Sequence, residues 1–181
     1  DISEASIPAN IKKIASRSFY SCELLTTITF DQKSLLEEID NYAFYNCASL
    51  STIDEIPASV TTIGEGAFFE CENLHQINIP PNSQLKSIGQ GAFYGTVLEE
   101  LSLPASIENL EDGWISGSEF LTNFSISQSN PFYQYIDDKC LIRKDEENGD
   151  AIIFARRDIT DIEIPPNIVR IGEEAFSYCQ N

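Results

Sequence analysis

Basic residues are few: 11 Lys and Arg stand against 29 Asp and Glu, for a net charge of −18. Neutralising phosphate takes a basic footprint. This balance therefore argues against nucleic acid and anionic membrane surfaces as partners, and leaves cationic ligands, calcium and neutral partners open. Histidine is scarcer still, since His75 is the only one in 181 residues. A Ser-His-Asp or Cys-His arrangement would have to use it, and no distinctive nucleophile motif such as GxSxG stands nearby. His75 reads as a surface residue, and the scattered acids read as a charged surface without the proximity and pocket that acid–base work needs. No apolar run approaches the ~20 residues of a membrane span. The opening DISEASIPAN has neither the basic nor the apolar region of a signal peptide, so direct membrane insertion is not expected. Five Cys, an odd number, exclude a complete intrachain disulfide framework in a chain too long to need stapling.

What is present is apolar content of 42%, enough for a packed core at a length that permits one domain or two. It is periodic. The stretch IPASVTTIGEGAFFECENLHQINIP, Ile56 to Pro80, begins and ends on the same dipeptide. Taking Phe68 as an anchor, its counterparts are Phe19, Phe44, Phe93, Ile115 and Phe176. Each stands five residues after an Ile or Leu that itself follows another aliphatic residue by three. Successive anchors are 25, 24, 25, 22 and then 61 residues apart. A period in the mid-twenties marks a solenoid, in which one lap is one supersecondary unit that cannot bury its face alone.

Each lap has two halves. One reads Leu-x-x-Ile-x-Ile, as in Leu74, Ile77, Ile79, and its alternation predicts a short strand. Such strands fall near 2–7, 25–30, 50–56, 74–79, 98–103, 121–126 and 159–164, and are expected to stack as one parallel sheet. Pro then ends the ladder, and a polar residue two further on bonds the turn: Pro8 and Asn10, Pro57 and Ser59, Pro80 and Asn82, Pro104 and Ser106, Pro165 and Asn167. The other half, such as IGEGAFFECENL, suits a tight turn followed by one short helical turn, with the anchoring Phe residues stacked as an aromatic spine. Together these halves predict an α/β repeat solenoid.

Leu-x-x-Ile-x-Ile-x-x-Asn at 74–82, joined to IGEGAFFEC at 63–71, resembles the leucine-rich repeats of the BspA-like, or treponemal, class, and the resemblance covers nearly the whole chain. It implies a right-handed horseshoe with the parallel sheet on its concave side and short turns or helical turns on its convex side. It also implies a cell-surface or extracellular protein that binds a host or other surface protein more often than it catalyses. Residues 1–181 are then a single leucine-rich-repeat domain. From the stop in mid-lap at Ser177–Asn181 it is expected to be a fragment of a longer array. Departures are Trp114-Ile115 in place of Ala-Phe and one extra residue in Ile53-Asp54-Glu55-Ile56, read as a bulge. The largest is 127–158, where Lys139–Lys144 and Ala151–Arg156 flank a polar turn at Asn148-Gly149, an irregular hairpin insert. Similar inserts are familiar in the family.

Candidate sites follow from these halves. In the insert, Phe132, Tyr133 and Tyr135 lie near Arg143, Lys144, Arg156 and Arg157, the richest aromatic and basic neighbourhood in an acidic chain. They are either binding anchors or a plug packed against a widened solenoid. On the concave face, alternation points outward Thr27, Thr29, Thr52, Asp54, Gln76, Asn78, Glu100, Ser102, Asn123, Ser125, Asp161 and Glu163. Asn123-Phe124-Ser125 is the only Asn-x-Ser/Thr sequon, so Asn123 is a glycosylation candidate. Cys22, Cys47, Cys71 and Cys179 share one repeat position, read as a buried ladder in preference to a metal site. Cys140 lies outside it. Asp145–Asp150 clusters oxygen ligands but fails the EF-hand spacing, and Trp114 reads as core. No metal or cofactor is expected. The expected function is a protein–protein interaction module. The alternative is a structural spacer, and a hydrolytic enzyme is the least favoured.

Overall fold

The computed structural model describes residues 2–179. The chain runs through β1 (Glu4–Ile7), β2 (Lys13–Ile14), β3 (Thr27–Phe30), β4 (Glu38–Ile39), β5 (Thr52–Ile53), β6 (Thr62–Ile63), β7 (Gln76–Ile77), β8 (Ser87–Ile88), β9 (Glu100–Leu103), β10 (Asn109–Leu110) and β11 (Asn123–Ile126). Odd-numbered strands pair only with odd and even with even, all parallel and in register, so the chain is a parallel β-solenoid of about seven turns. The odd strands fall inside six of the predicted windows. Where one sheet was expected, the odd strands form two neighbouring ladders, β1-β3-β5-β7 and β9-β11, together the first-sheet side, and the even strands a five-stranded ladder β10-β8-β6-β4-β2, the second sheet.

The reason is the pair of aliphatic residues three apart in every lap. Ile39, Ile63 and Ile88 are fully buried and stack Cα to Cα across rungs. A two-residue strand is enough to carry that column. In the first sheet, Asn78 takes the Ile53 carbonyl on its amide (3.1 Å) and gives its own carbonyl to the Ile56 amide (2.8 Å). A regular parallel ladder would use residue 55 there, so the chain holds one extra residue at Asp54-Glu55, a bulge.

No helix occurs among the described residues, which corrects the helical turns and the α/β class. The hydrogen bonds around each anchor explain why. The Arg17, Phe19 and Ser21 amides donate to Asn41, Ala43 and Tyr45 of the next rung, while the Ser18, Tyr20 and Cys22 amides donate three residues back within their own rung. A helix would need every amide for its own chain. Here alternate amides are committed to the neighbouring rung. Aiming them alternately requires a left-handed residue on each side of the anchor, at Arg17 and Ser21, Tyr42 and Asn46, Gly66 and Glu70, Gly91 and Gly95, Gly113 and Gly117. Glycine adopts that conformation at no steric cost, which is why it recurs in this half of the lap.

Inside, Phe19, Phe44, Phe68 and Phe93 stack with ring centroids 5.0, 5.3 and 5.6 Å apart. Trp114, fully buried at the Ala slot, ends the column edge-on against Phe93. The turn residue is Ser59 or Ser106, whose hydroxyl donates to two carbonyls of the rung before, those of Ser34 and Leu36 or of Ser83 and Leu85. In the third lap the bonding residue is Ser83, whose hydroxyl accepts the Leu85 amide, and not the exposed Asn82.

The insert holds more than one hairpin. β12 (Tyr133–Ile136) and β13 (Cys140–Arg143) are antiparallel, β13 and β14 (Asp150–Ala155) likewise, and β14 pairs in parallel with β15 (Ile168–Ile171) of the last lap. Its central strands, β13 and β14, are buried on both faces, while β15 is largely exposed. Leu141, Ile153 and Phe154 join the solenoid core. Cys140, Ile142 and Ile152 pack with Ile159 and Ala175 in a second, smaller core. The insert is thus a partition between the regular rungs and the last lap. It displaces that lap from the first sheet, and 159–164, predicted as a strand, forms none.

Candidate interaction surfaces

The row read from the first sheet is solvent-facing. Thr27, Thr29, Gln76, Asn78, Glu100, Ser102, Asn123 and Ser125 are all exposed, with Ile28, Ile77, Leu101 and Phe124 buried between them. Parallel register places like beside like: Thr27 against Thr52, Thr52 against Gln76, Glu100 against Asn123. Ser102 and Ser125 join hydroxyls at 2.8 Å. Asn78 donates to Glu55 at 3.4 Å. Asp161 and Glu163 are exposed too, but they lie on the strandless segment, where Asp161 pairs with Lys139.

Most of the seven insert candidates are consumed inside the fold. β10 is the last strand of its sheet, so the Leu110 amide has no further rung to bond. The Tyr133 hydroxyl accepts it at 2.8 Å, with Tyr133 only 2% exposed. Burial pushes the phenol's pKa up and keeps it neutral. Asn130, three residues earlier and equally buried, takes the turn-bonding place of Ser59 and Ser106. Its amide donates to Ala105 and Ile107, and its oxygen accepts the Phe132 and Tyr133 amides at 2.8 Å each. Arg157, 4% exposed, donates to the carbonyls of Ser118 and Ala175 and lies over the Phe154 ring at 4.9 Å. Arg156 forks between Asp138 (2.7 Å) and Asp158 (2.6 Å). Tyr135 packs edge-on against Phe124 and Lys144 reaches the Asn130 carbonyl. Phe132 and Arg143 alone of the seven are exposed.

The other singled-out residues have local partners. Cys47 and Cys71 donate their thiols to the anchor carbonyls of the rung before, Phe19 and Phe44, at 3.1 and 3.2 Å, as the Ser118 hydroxyl does to Phe93 at 3.0 Å in the same slot. Burial raises Cys47 to about 12 and Cys71 further, so both stay protonated donors. Among the described residues no cluster of His, Cys, Asp and Glu could hold a metal ion. In the Asp145–Asp150 turn the Asp145 carboxylate already accepts the Glu147 and Asn148 amides, and Asp150 accepts the Asp145 amide. His75 is exposed.

One surface escaped the reading of the sequence. Immediately after the anchors, Tyr20, Tyr45, Phe69 and Tyr94 form a second, outer aromatic column with centroids 4.8, 5.1 and 4.4 Å apart. Tyr20 is 47% exposed and the others are half-buried. The signal was present in their spacing, which repeats that of the anchors. Beside this column, Tyr42, Phe69 and Tyr94 border a cleft of about 250 Å³ rimmed by Glu65, Glu173 and Glu174.

The whole chain is similar to known proteins. The profile of the BspA type leucine rich repeat region matches in 6 copies over residues 1–122, 37–144 and 147–181. No curated protein matches significantly. Among solved structures, the pneumococcal vaccine antigen PcpA shares 28% identity over 96% of this chain and 42% of its own, with a TM-score of 0.83. A leucine rich cell surface protein of Faecalibacterium prausnitzii shares 25% over 98% of this chain and 52% of its own, with a TM-score of 0.77. A leucine rich repeat protein of T. pallidum shares 25% over 67% of this chain and 57% of its own, with a TM-score of 0.61. The chain therefore spans about half the length of these relatives. Among the described residues no helix is long and apolar enough to cross a membrane.

Proposed function

Because the chain belongs to the BspA-type leucine-rich repeat family, we propose that it is a protein-interaction module of a cell-surface protein, one that binds host or other surface proteins. Leucine-rich repeats of this family and fold are generally non-enzymatic. Two of the similar structures are described as a vaccine antigen and a cell surface protein, which supports the surface setting.

The observation that carries the reading is the exposed row of the first sheet. Each rung presents short polar side chains, held by main-chain pairing across rungs and left free by the core, over a surface several strands wide. Repeat solenoids bind across extended surfaces of this kind. The insert, by contrast, spends Tyr133 on the Leu110 amide, Arg156 on Asp138 and Asp158, and Arg157 on the Ser118 and Ala175 carbonyls.

The test is binding of the pure chain to a panel of purified extracellular proteins by biolayer interferometry. It is repeated with Thr29→Arg and Ser102→Arg together, and with Lys86→Ala in the turn leading to the second sheet. At least one protein should bind, with affinity reduced tenfold or more by the row substitutions and unchanged by Lys86→Ala. Binding by none of the panel would favour a spacer that holds a distant region away from the surface, and binding indifferent to the row would overturn the row as the interface.

A further inference from the structure

The outer aromatic column already holds one cation. Arg17 stands two residues before its anchor, and its guanidinium lies 5.9 Å from the Tyr20 ring centroid and 5.5 Å from that of Tyr42. The same position in later laps is Tyr42, then Gly66, Gly91 and Gly113. All are left-handed, so the backbone path is the same and only the side chain changes.

At Gly66 the vacated place is filled, because the Tyr42 ring lies where a Cβ would be, 2.6 Å away. At Gly91 and Gly113 no ring enters the Cβ position itself. The nearest atoms to a Cβ on Gly91 belong to Phe69, at 3.4 Å, and on Gly113 to the Ser116 hydroxyl, at 3.2 Å. The cleft of about 250 Å³ is this unfilled trough, floored by Gly91 and Gly113 and walled by Phe69 and Tyr94.

Its rim is acidic. Glu65 accepts the Tyr42 hydroxyl on one side, and Glu173 and Glu174 of the last lap close the other. Among the described residues no Lys or Arg lines the trough and neither Glu173 nor Glu174 makes a salt bridge. An aromatic wall beside unpaired carboxylates attracts a cation through both the ring quadrupole and charge. A planar guanidinium also stacks on a ring while its fork bonds carboxylate, which an ammonium does not do. The chain's net charge of −18 favours the approach of a basic segment from any distance within the screening length.

From the resident Arg17 and this empty counterpart, we propose that the trough at Gly91 and Gly113 receives an arginine side chain from a basic segment of a protein partner. The proposal rests on the reading of the chain as an interaction module and names one contact within it.

The probe is the peptide acetyl-Gly-Ser-Arg-Ser-Gly-amide, titrated into the ¹⁵N-labelled chain and followed by amide chemical shifts. A peptide with citrulline in place of arginine, nearly the same shape without the charge, is the control. Shifts should map to Gly91, Gly113 and Ser116, and the arginine peptide should bind at least about fivefold more tightly than the citrulline peptide, the factor expected of one cation–π contact. Glu173→Gln with Glu174→Gln, which keeps shape and folding, should remove most of that preference, and Tyr94→Ala should weaken the arginine peptide by a similar factor. Equal binding of the two peptides, shifts centred elsewhere, or an arginine preference untouched by the glutamine substitutions would overturn the site. If the first-sheet substitutions abolish partner binding while the peptide gives no response, the arginine site falls and the interaction reading stands.

Discussion

Replacing Tyr133 by Phe removes one oxygen and leaves the ring in place, so it isolates the hydroxyl's task of closing the second sheet. The Leu110 amide bonds that oxygen at 2.8 Å, and both residues are almost wholly buried, at 1% and 2% exposure. A buried N–H deprived of its acceptor costs about 1–3 kcal/mol, because the substitution loses the bond and offers no water in exchange. The ring's packing is unchanged, so no cavity contribution adds to it. Tyr133→Ala would add one, and should cost about 3–5 kcal/mol in total. Urea denaturation measures the sum, and with a slope of about 2–3 kcal/mol/M a loss of about 2 kcal/mol moves the midpoint by a little under about 1 M. Hydrogen exchange locates it: the Leu110 amide should lose protection, while Ile39 and Ile63, deep in the same sheet, keep theirs. A Tyr133→Phe chain within about 0.5 kcal/mol of the parent, with Leu110 still protected, would refute the role of the insert as the edge cap of the interrupted solenoid.

The two aromatic columns should respond unequally: Phe68→Ala, fully buried between Phe44 and Phe93, should cost about 3–5 kcal/mol by thermal or urea unfolding, and the half-buried Phe69→Ala distinctly less. Cys47, pushed up to about 12 by burial, holds a thiolate fraction on the order of 10⁻⁴ at pH 8, so native-state alkylation should be far slower than in urea, as mass spectrometry would show. The sign of its pH dependence follows from the raised value. The contribution is complete below the ordinary thiol value near 9 and is lost as pH rises from there toward about 12, so stability should fall between pH 9 and 11, and less in a Cys47→Ser, Cys71→Ser chain.

The lap itself was legible because apolar spacing records which residues face inward. Six strand windows, the Phe column and the Asp54-Glu55 bulge all follow from that spacing. The second sheet was in view as the pairs Leu36 and Ile39, Val60 and Ile63, Leu85 and Ile88. Two residues make too short a run for alternation to announce a strand, and only the neighbouring rung turns them into one. The anchor half misled because Ala-Phe between polar residues suits a helical turn, whereas the glycines four apart, Gly91 with Gly95 and Gly113 with Gly117, record left-handed backbone that a helix does not use. Among candidate sites, the sheet row was readable from period two. The fate of Tyr133, Arg156 and Arg157 was not, since it depends on where the insert sits between two parts of the solenoid. The 61-residue gap between Ile115 and Phe176 shows that a lap is interrupted, but not that β13 and β14 of the interrupting sheet are buried on both faces.

Hydroxyl-radical footprinting of the chain, alone and bound to a protein from the extracellular panel, tests the interaction account most directly because it reads side-chain exposure on every surface at once. Protection is predicted on the first-sheet side, at His75 and its neighbours, and at Tyr94 beside the trough, with Phe132 of the insert left as reactive as in the free chain. Protection confined to Phe132 and its surroundings, with the sheet row and the outer aromatic column unchanged, would contradict it.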